Sequence, residues 1–311
     1  MATLDTPKVV PVRHPGTWLG ILVCLVFVAG LIRTFLENPN YQWDIVWHYF
    51  SDEQILRGIG LTLQLTFITL FISFVLGTVL AIGRTSKSTF LNVVTWNYVW
   101  FFRGTPLLVQ IIFWYNIAAL YPVIEIGIPF GPTFIEADGN ALINAFTAAV
   151  IAFGLNQSAY MCEIIRSGLL AVDEGQREAA TALGLSKFQM FRKVIAPQAM
   201  RVILPSAGNL LIDLLKSTAL VSVIALPELL YSAQLIYSQN FLTIPVLLAA
   251  TIWYLIITTV LTVIQYYIER HYARGSSRNL PLTPLQKAKL KWNNVVAKIG
   301  QIRSNATEAA S

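Results

Sequence analysis

Charge is scarce in this chain: Asp, Glu, Lys and Arg together make 12% of its 311 residues, while 55% are hydrophobic. A soluble domain carries about 25% charged residues, so water is the wrong solvent for most of this surface. Cysteine is nearly absent. Cys24 and Cys162 both fall in apolar runs, which excludes a disulfide framework and any zinc spacing and reads as two small buried side chains. His14, His48 and His271 are scattered, and none lies in the middle of an apolar run. No nucleophile–base pair or metal cluster is visible, which argues against a membrane enzyme. No G-x-x-x-x-G-K-[ST] loop is present, so the chain cannot cradle ATP by that route.

What is present is a set of long apolar runs. A membrane-crossing helix needs about 20 mostly apolar residues. Six segments qualify, at approximately 17–36, 58–83, 104–121, 141–163, 203–223 and 244–267. The first is too long for a signal-peptide core and no small-residue cleavage site follows it, so it reads as a retained helix.

Basic residues are distributed unevenly between the runs. Lys8 and Arg13 precede the first. Arg84, Lys87 and Arg103 lie between the second and third, and Arg166, Arg177, Lys187, Arg192, Lys193 and Arg201 between the fourth and fifth. Eight more, from Arg270 to Arg303, follow the sixth. The alternate loops, 122–140 and 224–243, contain no Lys or Arg and carry Glu125, Glu136, Asp138 and Glu228. Positive charge accumulates on the cytoplasmic side, so this asymmetry predicts cytoplasmic N and C termini and a cytoplasmic 164–202 loop. It also explains the net charge of +6 without nucleic acid as a partner.

Smaller elements follow from local signals. Trp96, Tyr98 and Trp100 beside basic residues suit an interfacial segment at 88–102. The Gly- and Pro-rich 122–140 loop reads as an ordered external turn. In the tail, Thr283, Pro284 and Gln286 make a helix start. Trp292, Val295, Ile299 and Ile302 share one face beyond it, so a basic amphipathic helix on the inner leaflet and a solvated tail are both open.

Polar residues at bilayer depth are costly, so their pattern is informative. Thr62, Thr66, Thr69, Ser73 and Gly77 form one small-residue face of the second run, which predicts close helix packing. In the fourth run Ala145, Ala149, Ala152, Asn156, Tyr160 and Glu163 share a face. Its polar end either lines a path or bonds to neighbouring helices. In the fifth run Ser206, Asn209, Asp213 and Lys216 share a face. Asp213 and Lys216, one turn apart, offset each other's charge. Both an interhelical lock and a polar wall for a zwitterionic or charged solute are open.

The loop 164–202 is too long and too patterned for a connector. Asp173 reads as an N-cap with Gln176 three residues on, and Gly184 as a helix stop. Ser186 with Gln189 forms a second capping box. Phe188, Phe191 and Ile195 make one apolar face, and Pro197 marks a bend. The result is a helix–Gly–helix elbow with small residues on its first arm, suited either to docking another protein or to a purely internal structural role.

This segment resembles the EAA motif of ABC importer permeases: Glu-Ala-Ala, three residues, Gly, nine residues, then Ile-x-Leu-Pro. Here Glu178-Ala179-Ala180 is followed by Gly184 and by Val194-Ile195-Ala196-Pro197. The departures at Val194 and Ala196 stay apolar. Other segments resemble the polar amino acid branch (His/Glu/Gln/Arg/opine) of that family: Thr62–Thr66, Phe102–Gln110 including Arg103-Gly104-Thr105-Pro106, Gly208-Asn209, Leu214-Leu215-Lys216, Leu220–Ile224 and Pro227–Leu230. The resemblance covers about 57–270, leaving out the first helix and a 122–140 loop that is longer than usual.

The resemblance implies an all-α, multi-pass helical bundle in the bacterial inner membrane: a five-helix core plus one N-terminal helix. The layout is an N-terminal segment, 1–56, a permease core, 57–270, with its coupling segment at 173–197, and a basic tail, 271–311. It implies as partners a dimer of ABC ATPase subunits, a second permease subunit, an external solute-binding protein, an amino acid substrate and membrane lipid. ATP and Mg belong to the ATPase, and this chain carries no cofactor and no catalytic residue. Glu178, Ala179, Ala180, Gly184, Ser186 and Pro197 are then ATPase-coupling positions. Gln110, Asn156, Tyr160, Glu163, Asn209, Asp213 and Lys216 are candidates for the substrate path. Related sequences often carry an acid directly after the Lys216 equivalent. Here that position is Ser217 and the acid stands at Asp213. An ion-coupled secondary transporter is the alternative. It suits Asp213 and Lys216 but leaves the elbow without a purpose, and no internal repeat is evident.

Overall fold

The computed structural model describes residues 15–128 and 131–272, with isolated positions in the tail at 286, 289, 290, 292 and 293. The expected tail helix from Thr283 to Ile302 therefore lies almost wholly outside the described residues, as do Lys8 and Arg13.

Helix α1 (Pro15–Glu37) is apolar all round, and from Leu19 onward its side chains are exposed. It ends in an aromatic knot in which the Phe35 ring meets Tyr41 and Trp43 at 4.7 and 4.8 Å. Helix α2 (Trp43–Phe50) follows. Asp52 then caps α3 (Glu53–Arg84), its carboxylate accepting from the Gln54 N–H at 2.8 Å. At 32 residues α3 is about 48 Å long, ample for the bilayer core.

Helix α4 (Thr89–Gly104), capped by Ser88, occupies the segment expected to be interfacial. The expected span at 104–121 is not a single helix. Only α5 (Leu107–Tyr115) forms there, nine residues long. Pro106 supplies no N–H and forces the residue before it out of the helical region: Thr105 is extended, at φ −104 and ψ 141. Hydropathy alone runs straight across this break.

The 122–140 segment also differs from expectation. It holds an antiparallel hairpin, β1 (Val123–Gly127) with β2 (Thr133–Asp138), in which Glu125 stands opposite Glu136. Short alternation of apolar and acidic residues, a two-residue period, is the signal for it. A single-turn helix α6 (Gly139–Leu142) leads to α7 (Ala145–Leu170), capped by Asn144.

The elbow contributes α8 (Glu174–Ala182), α9 (Lys187–Met190) and a π-helical turn over Phe191–Ile195. Helix α10 (Ala196–Ser217) continues into a 3-10 segment, Thr218–Ile224. Helices α11 (Leu229–Asn240) and α12 (Thr243–Tyr272) complete the bundle. Among the described residues five helical stretches are long and apolar enough to cross a membrane, against the six expected. The difference is the broken α4–α5 segment.

The α3–α7 pair is the centre of the bundle. Thr62, Thr66, Thr69 and Ser73 are fully buried. Three of their hydroxyls donate back to carbonyls of α3 itself: Thr66 to Thr62 at 2.7 Å, and Thr69 to Leu65 and Ser73 to Thr69 at 2.6 Å. The stripe thus presents small, internally satisfied side chains, and packing is its role. A Cβ at Gly77 would lie 2.7 Å from Met161 Cβ and 3.0 Å from the Ser158 carbonyl. Gly77→Val is expected to cost about 1–3 kcal/mol by overpacking and to lower the unfolding temperature in detergent. Gly60→Ala, with nothing within 4 Å, is the matched control and should not lower it, since alanine is the better helix former.

Candidate functional site

The break between α4 and α5 exposes carbonyls that have no helical partner. Two expected path residues satisfy them. Gln110 Nε2 donates to the Phe102 carbonyl at 3.1 Å, to the Thr105 carbonyl at 3.2 Å and to Thr105 Oγ1 at 2.7 Å. Asn156 Nδ2 donates to the Phe102 carbonyl at 2.7 Å and to Gln110 Oε1 at 3.3 Å. Both side chains are buried. They mend the break, and their donors are committed.

Beside the mended break lies a cavity of about 550 Å³ lined by residues of α4, α5, α7 and α10 and of the turn between α4 and α5. The end of α4 supplies Arg103, α7 supplies Asn156, Gln157 and Tyr160, and α10 supplies Asp213 and Ser217. Three sequence candidates, Asn156, Tyr160 and Asp213, therefore meet in one place. The Arg103 guanidinium sits 5.0 Å from the Tyr160 ring centroid, a cation–π contact. Asp213 Oδ1 pairs with Lys216 Nζ at 2.8 Å, and both side chains are more than half exposed. That pair is a weak one.

Asn209, Lys216 and Asp213 line a neighbouring cavity of about 670 Å³ between α10 and α12. There Gln265 Nε2 reaches the Pro205 carbonyl at 3.1 Å, Asn209 Oδ1 at 3.2 Å and Glu269 Oε1 at 2.7 Å. Glu163 stands apart from both groups. Arg166 binds it through two nitrogens, at 3.0 and 2.7 Å, and Arg84 Nε lies 3.7 Å away. It shares a third cavity, of about 420 Å³, with Arg84, Trp96, Trp100, Arg103 and Tyr160. Arg103, Gly104 and Tyr160 thus line both the Asp213 cavity and the Glu163 cavity.

The elbow forms largely as its local signals require. Asp173 Oδ1 accepts from the Gly175 N–H at 2.8 Å. Gly184 closes the first arm at φ +71, a left-handed conformation that favours glycine. The Ser186–Gln189 capping box is complete. Ala180 is buried, whereas Glu178 and Ala179 are exposed. Leu183, Phe188 and Phe191 are 79%, 70% and 49% exposed, an apolar surface left uncovered among the described residues. Pro197 sits in the first turn of α10, directly after the π turn, and the chain stays helical from α9 through Phe191–Ile195 into α10. Two hydrogen bonds tie the elbow to the bundle: Arg177 Nη2 to the Leu169 carbonyl at 3.1 Å, and Gln198 Nε2 to Gln176 Oε1 at 3.2 Å.

The chain matches the family described as the binding-protein-dependent transport system inner membrane component over residues 73–274. It belongs to that family. Among its relatives, the arginine transport system permease protein ArgU of Corynebacterium glutamicum is 43% identical over 273 residues, covering 87% of this chain and 84% of the relative. The nopaline transport system permease protein NocM of Agrobacterium fabrum is 35% identical, covering 68% and 85%. Among solved structures, an amino acid ABC transporter crystallised with histidines is 36% identical with a TM-score of 0.59, over 70% of this chain and 94% of that one. The MetNI methionine ABC transporter, at 19% identity and a TM-score of 0.57, shares the fold. This chain is therefore an ABC importer permease of the amino acid type, a transport subunit, with α1 and the residues up to 72 lying outside the family match.

One buried carboxyl of this permease has a role that its sequence position alone does not show. Glu228 is fully buried and caps α11. It accepts from the Tyr231 N–H at 2.9 Å and the Tyr254 hydroxyl at 2.8 Å, with Thr62 Oγ1 at a longer 3.4 Å. Thr62 Oγ1 in turn accepts from the Leu229 N–H at 3.1 Å. Burial pushes the Glu228 carboxyl above the ordinary carboxylate range, and the hydrogen bonds pull the other way. The carboxylate joins α3, α11 and α12 at one point. The sequence marks it only as an acid of the 224–243 loop and as part of the Pro227–Leu230 resemblance. Glu228→Ala leaves the Tyr231 N–H and Tyr254 hydroxyl without their acceptor. It is expected to cost about 1–3 kcal/mol, read as a lower unfolding temperature followed by tryptophan fluorescence, with Glu228→Gln losing less.

Proposed function

We propose that this chain is the transmembrane permease subunit of a binding-protein-dependent importer for polar or charged amino acids, powered by a separate ATPase that docks on the 173–197 elbow. The observation that carries the reading is the pairing of two features in one chain. One is a capped, Gly184-hinged elbow with exposed Leu183, Phe188 and Phe191. The other is a polar cavity bearing Arg103 and Asp213 between the helices to which that elbow is tied. The names of the relatives support amino acids as the cargo, since those relatives include arginine and nopaline permeases.

In this reading Glu178, Ala179, Ala180 and Gly184 meet a groove of the ATPase, which holds ATP and Mg. Small side chains at 179 and 180 let the groove approach closely. Closure of two ATPases moves two elbows together and turns the cavity from one side of the membrane to the other. A second permease subunit completes the path, because the α10 face with Asn209, Asp213 and Lys216 is too polar for lipid. An external binding protein delivers the amino acid, and the membrane is the bacterial inner membrane.

Co-purification with the candidate ATPase and ATP-driven uptake test the elbow. Glu178→Arg is expected to abolish co-purification and to lower uptake by at least about tenfold, the scale of an interface hot spot. Unchanged uptake with an intact complex would sink the docking assignment. Asp213→Asn removes only an exposed pair worth less than about 1 kcal/mol, so stability should hold while uptake falls. Wild-type uptake and selectivity in that variant would take Asp213 off the path.

A further inference from the structure

One turn of α10 collects residues that weaken a helix, and a single side chain of α12 spans that turn. Pro205 lies inside α10 and has no N–H to offer the Arg201 carbonyl. Ser206 Oγ donates back to the Val202 carbonyl at 3.2 Å, a bond that often bends helices. Gly208 follows, a poor helix former second only to proline. Helices kink at such positions.

Gln265 brackets this turn. Its Nε2 donates to the Pro205 carbonyl at 3.1 Å and to Asn209 Oδ1 at 3.2 Å, one at each end. Gly208 makes the room: a Cβ there would lie 2.6 Å from Gln265 Cδ and 2.9 Å from its Nε2. The same nitrogen donates to Glu269 Oε1 at 2.7 Å, one turn along α12 itself. An amide has two N–H groups, so three acceptors compete for two protons. Gln265 also lines two cavities, the one of about 670 Å³ and an apolar one of about 480 Å³ that Gly208 shares. The contact between α10 and α12 therefore has open space beside it, unlike a close-packed core.

We propose that Gln265 is a positioning residue for transport: a clasp that holds the Pro205–Asn209 turn of α10 to α12, and whose amide stays with Glu269 when that turn moves. Helix α10 is tied to the elbow through Gln198 and Gln176. Helix α12 is fastened to α3 and α11 at Glu228. Gln265 thus bridges a helix that the elbow can push and a part of the bundle that it does not touch. With the clasp on Pro205 the weak turn is braced, and a push at the elbow reaches the Asn209–Lys216 face. With the amide on Glu269 alone the turn can bend, and no N–H is stranded in hydrocarbon. This rests on the importer reading above and deepens it, because it names the contact through which ATP-driven motion enters the bundle.

The test is transport by the full-length permease–ATPase complex in proteoliposomes with its binding protein. Uptake of L-arginine and of L-histidine is read against ATP hydrolysis in the same vesicles. Gln265→Met keeps the side-chain length and loses both donors. It should lower uptake per ATP hydrolysed at least about tenfold, the scale of two hydrogen bonds, with hydrolysis retained. Gly208→Ala leaves Gln265 in the chain but drives its amide off the turn, and should uncouple in the same way. Gln265→Lys keeps a donor of similar reach and should restore part of the coupling. Glu269→Met removes the acceptor on α12 and should slow uptake, whereas Glu269→Gln keeps an acceptor and should not. Wild-type uptake per ATP in Gln265→Met or in Gly208→Ala overturns the proposal, as does equal uptake in the two Glu269 variants. A fall in hydrolysis parallel to uptake, or loss of the complex on size exclusion, marks Gln265 as a plain structural tie and overturns it too. Absence of ATP-driven uptake in the wild type would count against the importer reading itself. Wild-type uptake beside unaffected variants removes the clasp alone.

Discussion

Hydrocarbon offers no water to a stranded carbonyl, and the arrangement of this protein's centre follows from that constraint. A helix crossing the membrane satisfies its own backbone, and one that breaks must borrow partners. The chain breaks once in its third crossing, at Gly104-Thr105-Pro106. The carbonyls of Phe102 and Thr105 are then met by Gln110 from the next turn and by Asn156 from α7. This fixes the distance and rotation of α7 against α4, so Gln157 and Tyr160 come to face Arg103. The cavity is a by-product of the break: a helix running straight through would fill the space with its own turn.

The same requirement explains why so many polar side chains of this apolar chain are quiet. The hydroxyls of α3 fold back on their own carbonyls and leave a smooth face for α7. Glu228 is held by a backbone N–H and two hydroxyls and fastens α11 between α3 and α12. Glu163 is neutralised by Arg166 and shadowed by Arg84 at the other end of α7. Once these are accounted for, few polar groups remain uncommitted near the centre. Arg103 and the Gln157 amide oxygen are two of them, and they share one cavity with Asp213.

Much of this was legible in the residues, and what was not has identifiable causes. Caps are local, so Asp173, Gly184, Ser186 and Gln189 announced the elbow correctly from a few neighbouring positions. Burial of the Thr62–Gly77 stripe follows from period alone. The α4–α5 break was written in Thr105-Pro106, but a hydropathy window averages over two residues and saw one span. The 123–138 hairpin was written in alternation too short to outweigh its Gly and Pro residues. Gln157 was passed over because it lies off the Asn156–Tyr160 face by one residue, about 100° around the helix. Its importance depends on Asn156 being occupied, which is a tertiary fact. Glu228 is likewise important only because Thr62 and Tyr254, each far away in sequence, arrive beside it.

The elbow and the cavity are not separate features joined by analogy. Arg177, immediately before Glu178, donates to a carbonyl in the last turn of α7. A cation at that position also meets the negative end of the helix dipole. Gln176 is tied to Gln198 in the first turns of α10. The first arm of the elbow is therefore fastened to the two helices that carry Gln157 and Asp213, and not to α3 or α12. A force applied at Glu178 would tilt α7 and α10 together at the ends next to the elbow, while the Glu228 junction holds α3, α11 and α12 as a block. Lining both the Asp213 and Glu163 cavities is the contact of Arg103 with Tyr160, one residue from α4 and one from α7. Movement of α7 against α4 has to alter that contact together with the bond from Asn156 to the Phe102 carbonyl.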